Sequence, residues 1–409
     1  MWSKNLMETQ AFVPDFAIRL ADISFDDTEV AFAGRSNLDL RRAYLLFRVL
    51  GQPGLVALSK PFTQLAFALR LPIEPLIRIS LFRQFVGGES IRACEDTIAA
   101  LATYGIGSIL DYSAEGQADE AGFDRTRDEL LKVIDRSAAD ARIPFAVFKP
   151  TGLGRAELLE KASRWDSLNP SERAEFDRFK VRFGEICARA VAAGTPVMVD
   201  AEESWLQPAV DQLVLEMMQL HNRQRAMIWN TVQMYRSDRL DYLKDLLAIA
   251  RRDGFGVGLK LVRGAYMEKE RDFARQHGLP SPIHPSKAAT DQAYDAAVAH
   301  CLNDIDRVSF CCGSHNEASN RLLMQGMADR GLARDDSRIW FAQLLGMSDH
   351  ISYNLARAGY KVVKYVPYAP IRDLVPYLMR RAEENSSVAG QSPRELALLQ
   401  QEMKRRKLL

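Results

Sequence analysis

Lys260 stands inside the run Gly256-Val257-Gly258-Leu259-Lys260-Leu261-Val262, which otherwise reads as a buried strand and is closed by Arg263-Gly264. A cation in so apolar a run must be partnered or must have a task. Two chemistries suit it: a stem packed inside a barrel with its ammonium at the rim, or a Schiff-base nucleophile as in barrel aldolases. A second cluster lies in "YAPIRDLVPYLMRRAEENSS". The pattern predicts a helix starting near Asp373, a residue able to cap, with Pro376 tolerable only in the first turn. Tyr377, Arg380, Arg381 and Glu384 then fall three or four apart along one side. Paired arginines suit a carboxylate, which accepts two N–H bonds from a guanidinium fork. The same residues read equally as a solvated charged face with a weak Arg381–Glu384 surface pair.

Other chemistries find less support. "VRGAY" holds one glycine, and no GxGxxG follows the first expected strand, so a dinucleotide fingerprint is missing. The five cysteines (94, 187, 301, 311, 312) show no CxxC spacing and read as small core residues of a reducing compartment. The six histidines make no HxxxH pair, so no metal site is expected.

The elements that must position these groups recur in a rhythm. Short apolar, β-branched runs return at Ser108–Asp111, Phe145–Lys149, Pro196–Asp200, Ala226–Thr231, Val257–Val262, Arg307–Cys312, Arg338–Ala342 and Lys361–Val366, each followed by a stretch of helical periodicity. Eight strands alternating with helices predict a (β/α)8 TIM-type barrel. Such barrels carry chemistry at the carboxyl ends of their strands. Here those ends are Asp111, Lys149, Asp200, Gln233, Lys260 with Arg263, Ser314-His315-Asn316, Gln343 and Tyr365. His315 alone would more often be structural, and Gln233 could be a strand-end cap.

The first hundred residues lack this rhythm. "SNLDLRRAYLLFRVL" and "KPFTQLAFALRLPIEPLIRISLFRQFV" read as amphipathic helices broken at proline, and "SPRELALLQQEMKRRKLL" as a terminal helix with a basic end. The expected organisation is an N-terminal helical arm (1–104), the barrel (105–391) and a C-terminal helical tail (392–409). Lys+Arg is 54 against Asp+Glu 53, a balance that gives nucleic acid no general basic face. No run of apolar residues is long enough to span a bilayer, and the N-terminus has neither the charge nor the apolar core of a signal peptide.

These residues also carry a resemblance. "LKLVRGAYMEKER", "SHN", "FAQLLGMSD" and "KYVPYAPIRDLVPYLMRRAEENSS", with "FVGGESI" and "VMVDAEES" upstream, resemble the strings of the proline dehydrogenase family, from about Phe85 to Ser387. The version here is similar to the stand-alone type shared by mitochondria and many bacteria. The resemblance implies a distorted barrel, FAD as cofactor, and oxidation of L-proline to Δ1-pyrroline-5-carboxylate. A hydride would pass from C5 to flavin N5, and the electrons to a membrane quinone. Arg380 and Arg381 would clamp the substrate carboxylate with Lys149 beside them, and Glu89 would pair with Arg380 as a lid. Tyr365, Tyr377, Tyr266, Ala265 and Leu344 would shape the pocket around the ring. Lys260 would be the cation near N5, Asp200 the acid beneath the site, and Gln233 the amide facing the flavin. Arg263, Gly264 and Ala265 with Ser314, His315 and Asn316 would hold the cofactor's ribityl and pyrophosphate, and Ala201 and Glu384 belong to the same cofactor set.

Two departures from the family pattern stand out. Ala369 replaces a frequent glycine after "VPY", and Leu345 replaces a histidine seen in some bacterial members. Tyr365 favours proline, because hydroxyproline-oxidising relatives carry a smaller residue there. The alternatives kept are 4-hydroxyproline oxidation by the same machinery and, in a different class, a Lys260 Schiff-base aldolase. Quinone delivery implies transient membrane-surface contact, for which the "KRRKLL" tail offers cations and leucines. The expected compartment is a bacterial cytoplasm, peripheral to the inner membrane, ahead of a mitochondrial matrix.

Overall fold

Eight parallel strands close on themselves in chain order: β1 (Ile106–Tyr112), β2 (Phe145–Phe148), β3 (Val197–Val199), β4 (Ile228–Gln233), β5 (Val257–Val262), β6 (Val308–Gly313), β7 (Ile339–Leu344) and β8 (Val362–Tyr368). These come from a computed structural model that describes residues 14–52, 54, 73–113, 119–164, 168–386 and 392–409. Each of the eight runs read from sequence lies on one strand of the barrel. β8 pairs with β1 from Ile106↔Val362 to Tyr112↔Tyr368, which shuts the cylinder.

Both faces of these strands are covered, yet the period of two still sorts them. Along β5, Val257, Leu259 and Leu261 pack outward into the layer of helices. The residues between them turn inward, and Lys260 stands in register with Thr231 on one side and Cys311 on the other. The inner layer includes Ile109, Met198, Trp229, Cys311, Val363 and Tyr365. The surrounding helices follow ordinary end chemistry. Pro170–Ala193, for example, opens with a capping box between Asn169 and Glu172 and stops at Gly194, whose φ of 69° suits a residue without Cβ. All five cysteines are free and buried, as expected of small core residues.

The arm and the tail belong to one second core. The helix Asn37–Leu50 is capped by Ser36, whose hydroxyl accepts from the Asp39 N–H. It turns Leu40, Ala43, Phe47 and Leu50 toward Leu398, Leu399 and Met403 of the tail helix Ser392–Arg405, and toward Leu374, Leu378 and Ala382 of the helix Ile371–Ser386. Phe47 also meets Phe85 edge to face, with ring centroids 6.2 Å apart. The basic end of the tail is used in this packing. Arg406 donates to the Phe32 and Arg35 carbonyls at 2.9 and 2.7 Å and pairs with buried Glu402, and Arg405 pairs with the same carboxylate. Of the second arm helix, residues 73–86 are described, and they run helical from Glu74 to Phe85 with a π turn over Arg78–Phe82. Its first part, residues 60–72, lies outside the described residues, as do the N-terminal stretch 1–13 and the expected boundary at 391.

The helix carrying the double arginine starts earlier than its sequence suggested. It spans Ile371–Ser386, and the Pro370 carbonyl accepts from Asp373 and Leu374. Asp373 is therefore a first-turn acid, not the cap, and Pro376 lies inside the helix. The cost is one N–H, and the helix is held by the core it covers on the side of Leu374, Leu378 and Ala382.

Candidate active site

The partner of Lys260 is Asp200. The ammonium makes a short ion pair with Asp200 Oδ1, and its Nζ lies 3.3 Å from Tyr365 Oη and 4.6 Å from the Tyr365 ring centre. Tyr365 Oη donates to both oxygens of Asp200, at 2.8 and 2.9 Å. Lys149, at the end of β2, reaches Asp200 Oδ2 at 3.5 Å and Asp111 at 2.7 Å. Five groups on or just beyond five strands thus form one largely buried, charge-balanced cluster. Burial alone would raise the Asp200 pKa; Lys260 and Lys149 overcome it and hold the carboxyl below its ordinary value. Burial drives the Tyr365 phenol well above 10, so it remains a donor.

Above this cluster opens a cavity of about 1680 Å³ at the barrel mouth, whose wall includes Lys149, Arg263, Gly264, Ala265, Tyr266, Arg380 and Glu384. Gly264 adopts φ 134° against the Tyr235 ring, a place where an added Cβ would collide. Arg263 is fixed from three sides: Nε to Asp291 at 2.8 Å, and its terminal nitrogens to the hydroxyls of Ser314 at 2.8 Å and Ser319 at 3.0 Å. This draws the end of β5 to the end of β6. Asn316 caps the following helix Glu317–Asp329 by accepting from Ala318 and Ser319. Gln233 donates to the Glu202 carbonyl at 2.6 Å, which bends the segment after β3 toward the end of β4. Gln343 joins the ring of strand ends by donating to the Ser314 carbonyl at 3.0 Å.

On the helix Ile371–Ser386, Arg381 pairs with Glu384 at 2.6 Å and lies over the Tyr377 ring, 5.0 Å from its centre. Arg381 and Tyr377 are buried, at 5% and 4% exposure, so the reading of a solvated face fails for them. Tyr377 Oη and Arg381 Nε are nevertheless buried polar atoms with no hydrogen-bond partner in the protein. Groups of that kind are nearly always satisfied, so these two ask for a partner that the described residues do not supply. Burial pushes the Tyr377 phenol up to about 12.

The structure thus brings together Lys149, Asp200, Lys260 and Tyr365, and separately Arg263, Ser314 and Asn316. Ala201 follows Asp200 into the same loop, and Leu344 packs beside the inner layer that contains Tyr365. His315 is partly buried, with Nδ1 2.9 Å from Ser348 Oγ. Its pKa falls to about 3, first through burial and then through the nearby charges of Lys364 and Arg381. Glu89, expected beside Arg380, meets Arg78 at 2.5 Å.

Three site residues were missed by sequence reasoning. Asp111 was noted at a strand end but not as the partner of Lys149. Asp291 anchors Arg263 from a helix, where nothing in its neighbours marks it. Glu202, 3% exposed, accepts from the Thr151 N–H and hydroxyl at 2.9 and 2.8 Å and so holds the turn after Lys149. Burial, reinforced by Glu203, raises its pKa to about 7. The acidic pair in "DAEES" was the available signal.

Comparison with known proteins identifies the family. Residues 94–394 match the family described as proline dehydrogenase. The chain is 38% identical over 322 residues to the carbapenem antibiotics biosynthesis protein CarD of Pectobacterium carotovorum, covering 79% of this chain and 83% of that one. It is 33% identical over 421 residues to hydroxyproline dehydrogenase of Xenopus laevis, covering 94% and 90%. Human mitochondrial proline dehydrogenase 1 is 40% identical over 238 residues, which is 58% of this chain and 40% of that protein. Among solved structures, proline utilization A of Bdellovibrio bacteriovorus superposes with a TM-score of 0.69 at 18% identity, over 93% of this chain and 39% of that one. The Bradyrhizobium japonicum protein of the same name gives 0.64 at 24% identity. At these identities the superpositions speak for the fold.

Proposed function

This chain belongs to the proline dehydrogenase family, and from that premise we propose that it is an FAD-dependent enzyme that oxidises L-proline to Δ1-pyrroline-5-carboxylate. The observation that carries the reading is the set of cations Lys149, Arg263 and Arg380 lining one cavity, with Tyr377 Oη and Arg381 Nε buried and without a protein hydrogen-bond partner on the helix that bears Arg380. Such donors are what a small carboxylate needs. The residues present also fit the cofactor. A cavity of about 1680 Å³ is roomy for a dinucleotide with its substrate, and Arg263 is fixed beside Ser314 where an anionic group can be received. Arg263, Gly264, Ala265, Ser314, His315 and Asn316 would hold the phosphates and ribityl chain; Ala201, Gln233, Lys260 and Glu384 would border the ring system. FAD, when bound, would accept the hydride leaving C5 of proline and hand the electrons on to a membrane quinone.

The chain's own residues do the rest by positioning. Arg380, Arg381 and Lys149 bind and orient the carboxylate. Tyr266, Tyr377 and Leu344 close round the ring and exclude water. Tyr365, tethered to Asp200, crowds C4. Lys260 supplies a fixed positive charge, already aligned by Asp200, where negative charge develops. The ring nitrogen gives its proton to water. Lys260 as an aldolase nucleophile fits less well, since a Schiff-base lysine must offer a free amine and this one is taken up by a carboxylate and a phenol.

One observation favours a second substrate: the Xenopus hydroxyproline dehydrogenase covers nearly the whole chain. The anaerobic visible spectrum of the purified protein decides between the two. Flavin bands bleached by L-proline and much less by 4-hydroxyproline support the proposal; the reverse order replaces the substrate. A colourless protein that FAD does not reconstitute refutes the reading. We place the enzyme in a bacterial cytoplasm in transient contact with a membrane surface. Among the described residues no helix is long and apolar enough to cross a bilayer.

A further inference from the structure

Ser348 holds a backbone conformation that a residue with a Cβ rarely adopts. Its φ and ψ are 51° and 43°, in the left-handed region, and it is wholly buried. Glycine is the default at such a position. An observed outlier of this kind asks for a reason. Ser348 lies in the loop after β7, and each residue around it is clamped. The Met347 carbonyl accepts from Lys364 Nζ at 2.6 Å. The Ser348 N–H donates to Glu395 Oε1 at 2.5 Å. Asp349 pairs with Lys364 and with Arg35, each at 2.9 Å. Glu395 comes from the tail helix and is 2% exposed, so the far end of the chain fixes a loop at the barrel mouth.

The serine hydroxyl is what glycine would lack. Its only polar partner among the described residues is His315 Nδ1, at 2.9 Å. A buried hydroxyl proton needs an acceptor, and the imidazole nitrogen is the one in reach. If the hydroxyl donates to Nδ1, the proton of the neutral ring must sit on Nε2. That nitrogen makes no bond to the described residues and is not among the buried unpaired atoms, so it keeps some exposure, two residues beyond the end of β6. The positive charges of Lys364, Arg381 and Arg263 nearby favour the neutral ring.

We infer that Ser348, clamped by Glu395 of the C-terminal helix, is a positioning residue for His315, fixing it as the Nε2–H tautomer and presenting that N–H as a donor at the barrel mouth. The inference rests on the proposed flavin site only for what the donor meets, an anionic or carbonyl oxygen of the cofactor. The tautomer itself is a property of the protein.

The test is long-range proton–nitrogen NMR of the full chain labelled with ¹⁵N-histidine, as purified, with the His315 signals identified by their loss in His315→Gln. The wild type should show one neutral Nε2–H tautomer. Ser348→Gly removes the hydroxyl but suits the backbone angle, so it should keep its melting temperature while His315 becomes a mixture of tautomers. Glu395→Ala should shift His315 the same way, and Glu395→Gln, which keeps an acceptor for the Ser348 N–H, should restore the single form. In flavin-loaded protein, Ser348→Gly should weaken FAD binding about tenfold, the worth of one hydrogen bond. An Nδ1–H tautomer in the wild type, or an unchanged pattern in Ser348→Gly, overturns the inference. Glu395→Ala that melts earlier with His315 unaltered reduces the tail to a structural prop and overturns the clamp. Absence of flavin binding would sink the function proposed above and leave the tautomer readable.

Discussion

Lys260 and Asp200 show how a single charge in a strand constrains everything near it. Removing one partner strands the other in a poorly solvated place, which costs about 3 kcal/mol or more. Lys260→Met and Asp200→Asn should each lower the urea midpoint, and the double variant should be more stable than their sum predicts; simple additivity would mean that the pair does not couple. Lys260→Met should also slow flavin reduction by about 100-fold, read by stopped flow. Glu202 makes a second, independent statement. Its pKa is raised from 4.5 to about 7, so the fold favours the protonated carboxyl. Its contribution to stability is complete below pH 4.5 and is lost as pH rises through about 7, by at most about 3 kcal/mol at about 1.4 kcal/mol per pH unit. Glu202→Gln, which keeps an acceptor for Thr151, should flatten that part of the stability–pH curve; an unchanged slope would move the titration elsewhere. The lysine was legible in the sequence because an ionised group in an apolar run has few excuses. Ser348 was not, since φ is written in no local pattern and its clamp, Glu395, lies in a distant helix.

At the level of elements, the strands were legible because β-branched runs bounded by polar ends repeat with helical stretches between them. Ends were less so: β3 spans Val197–Val199, shorter than Pro196–Asp200, although the Asp200 N–H still donates to the Phe148 carbonyl at 2.9 Å and so stays tied to β2. The helix Ile371–Ser386 misled for a different reason. Pro370 stands just before it and Pro376 is carried inside because the apolar side is gripped by the second core, a tertiary effect that local rules do not contain. That grip presents Arg380 and Arg381 from a rigid element. Arg381→Met should therefore raise the KM for proline by about 100-fold with the flavin spectrum intact; loss of flavin instead would assign the arginine to the cofactor. Tyr365→Ser, in the middle of β8, should raise the rate on 4-hydroxyproline relative to proline. Equal loss on both substrates would remove Tyr365 from substrate choice and leave it as support for Asp200.

Across the whole molecule, the outward side of the helix Asn37–Leu50 carries Leu38, Leu45 and Val49, all more than half exposed, with Leu76 and Ile79 nearby and Arg41, Arg42 and Arg48 among them. Apolar groups flanked by arginines suit an anionic bilayer surface. The basic tail suits it less, because Arg405 and Arg406 are engaged with Glu402. Replacing Leu45 and Val49 with serine should lower co-sedimentation with vesicles of anionic lipid several-fold; unchanged binding would clear this face of the role. The closing of the chain on itself has a further consequence, for manufacture. β1 is complete by Tyr112 but has no β8 beside it until Val362–Tyr368 emerge, and the apolar side of Asn37–Leu50 waits longer still, for Leu398, Leu399 and Met403. A ribosome making this protein holds an open cylinder and a bare helix until those segments emerge. Chaperone demand should therefore fall only once residues 362–403 have left the ribosome.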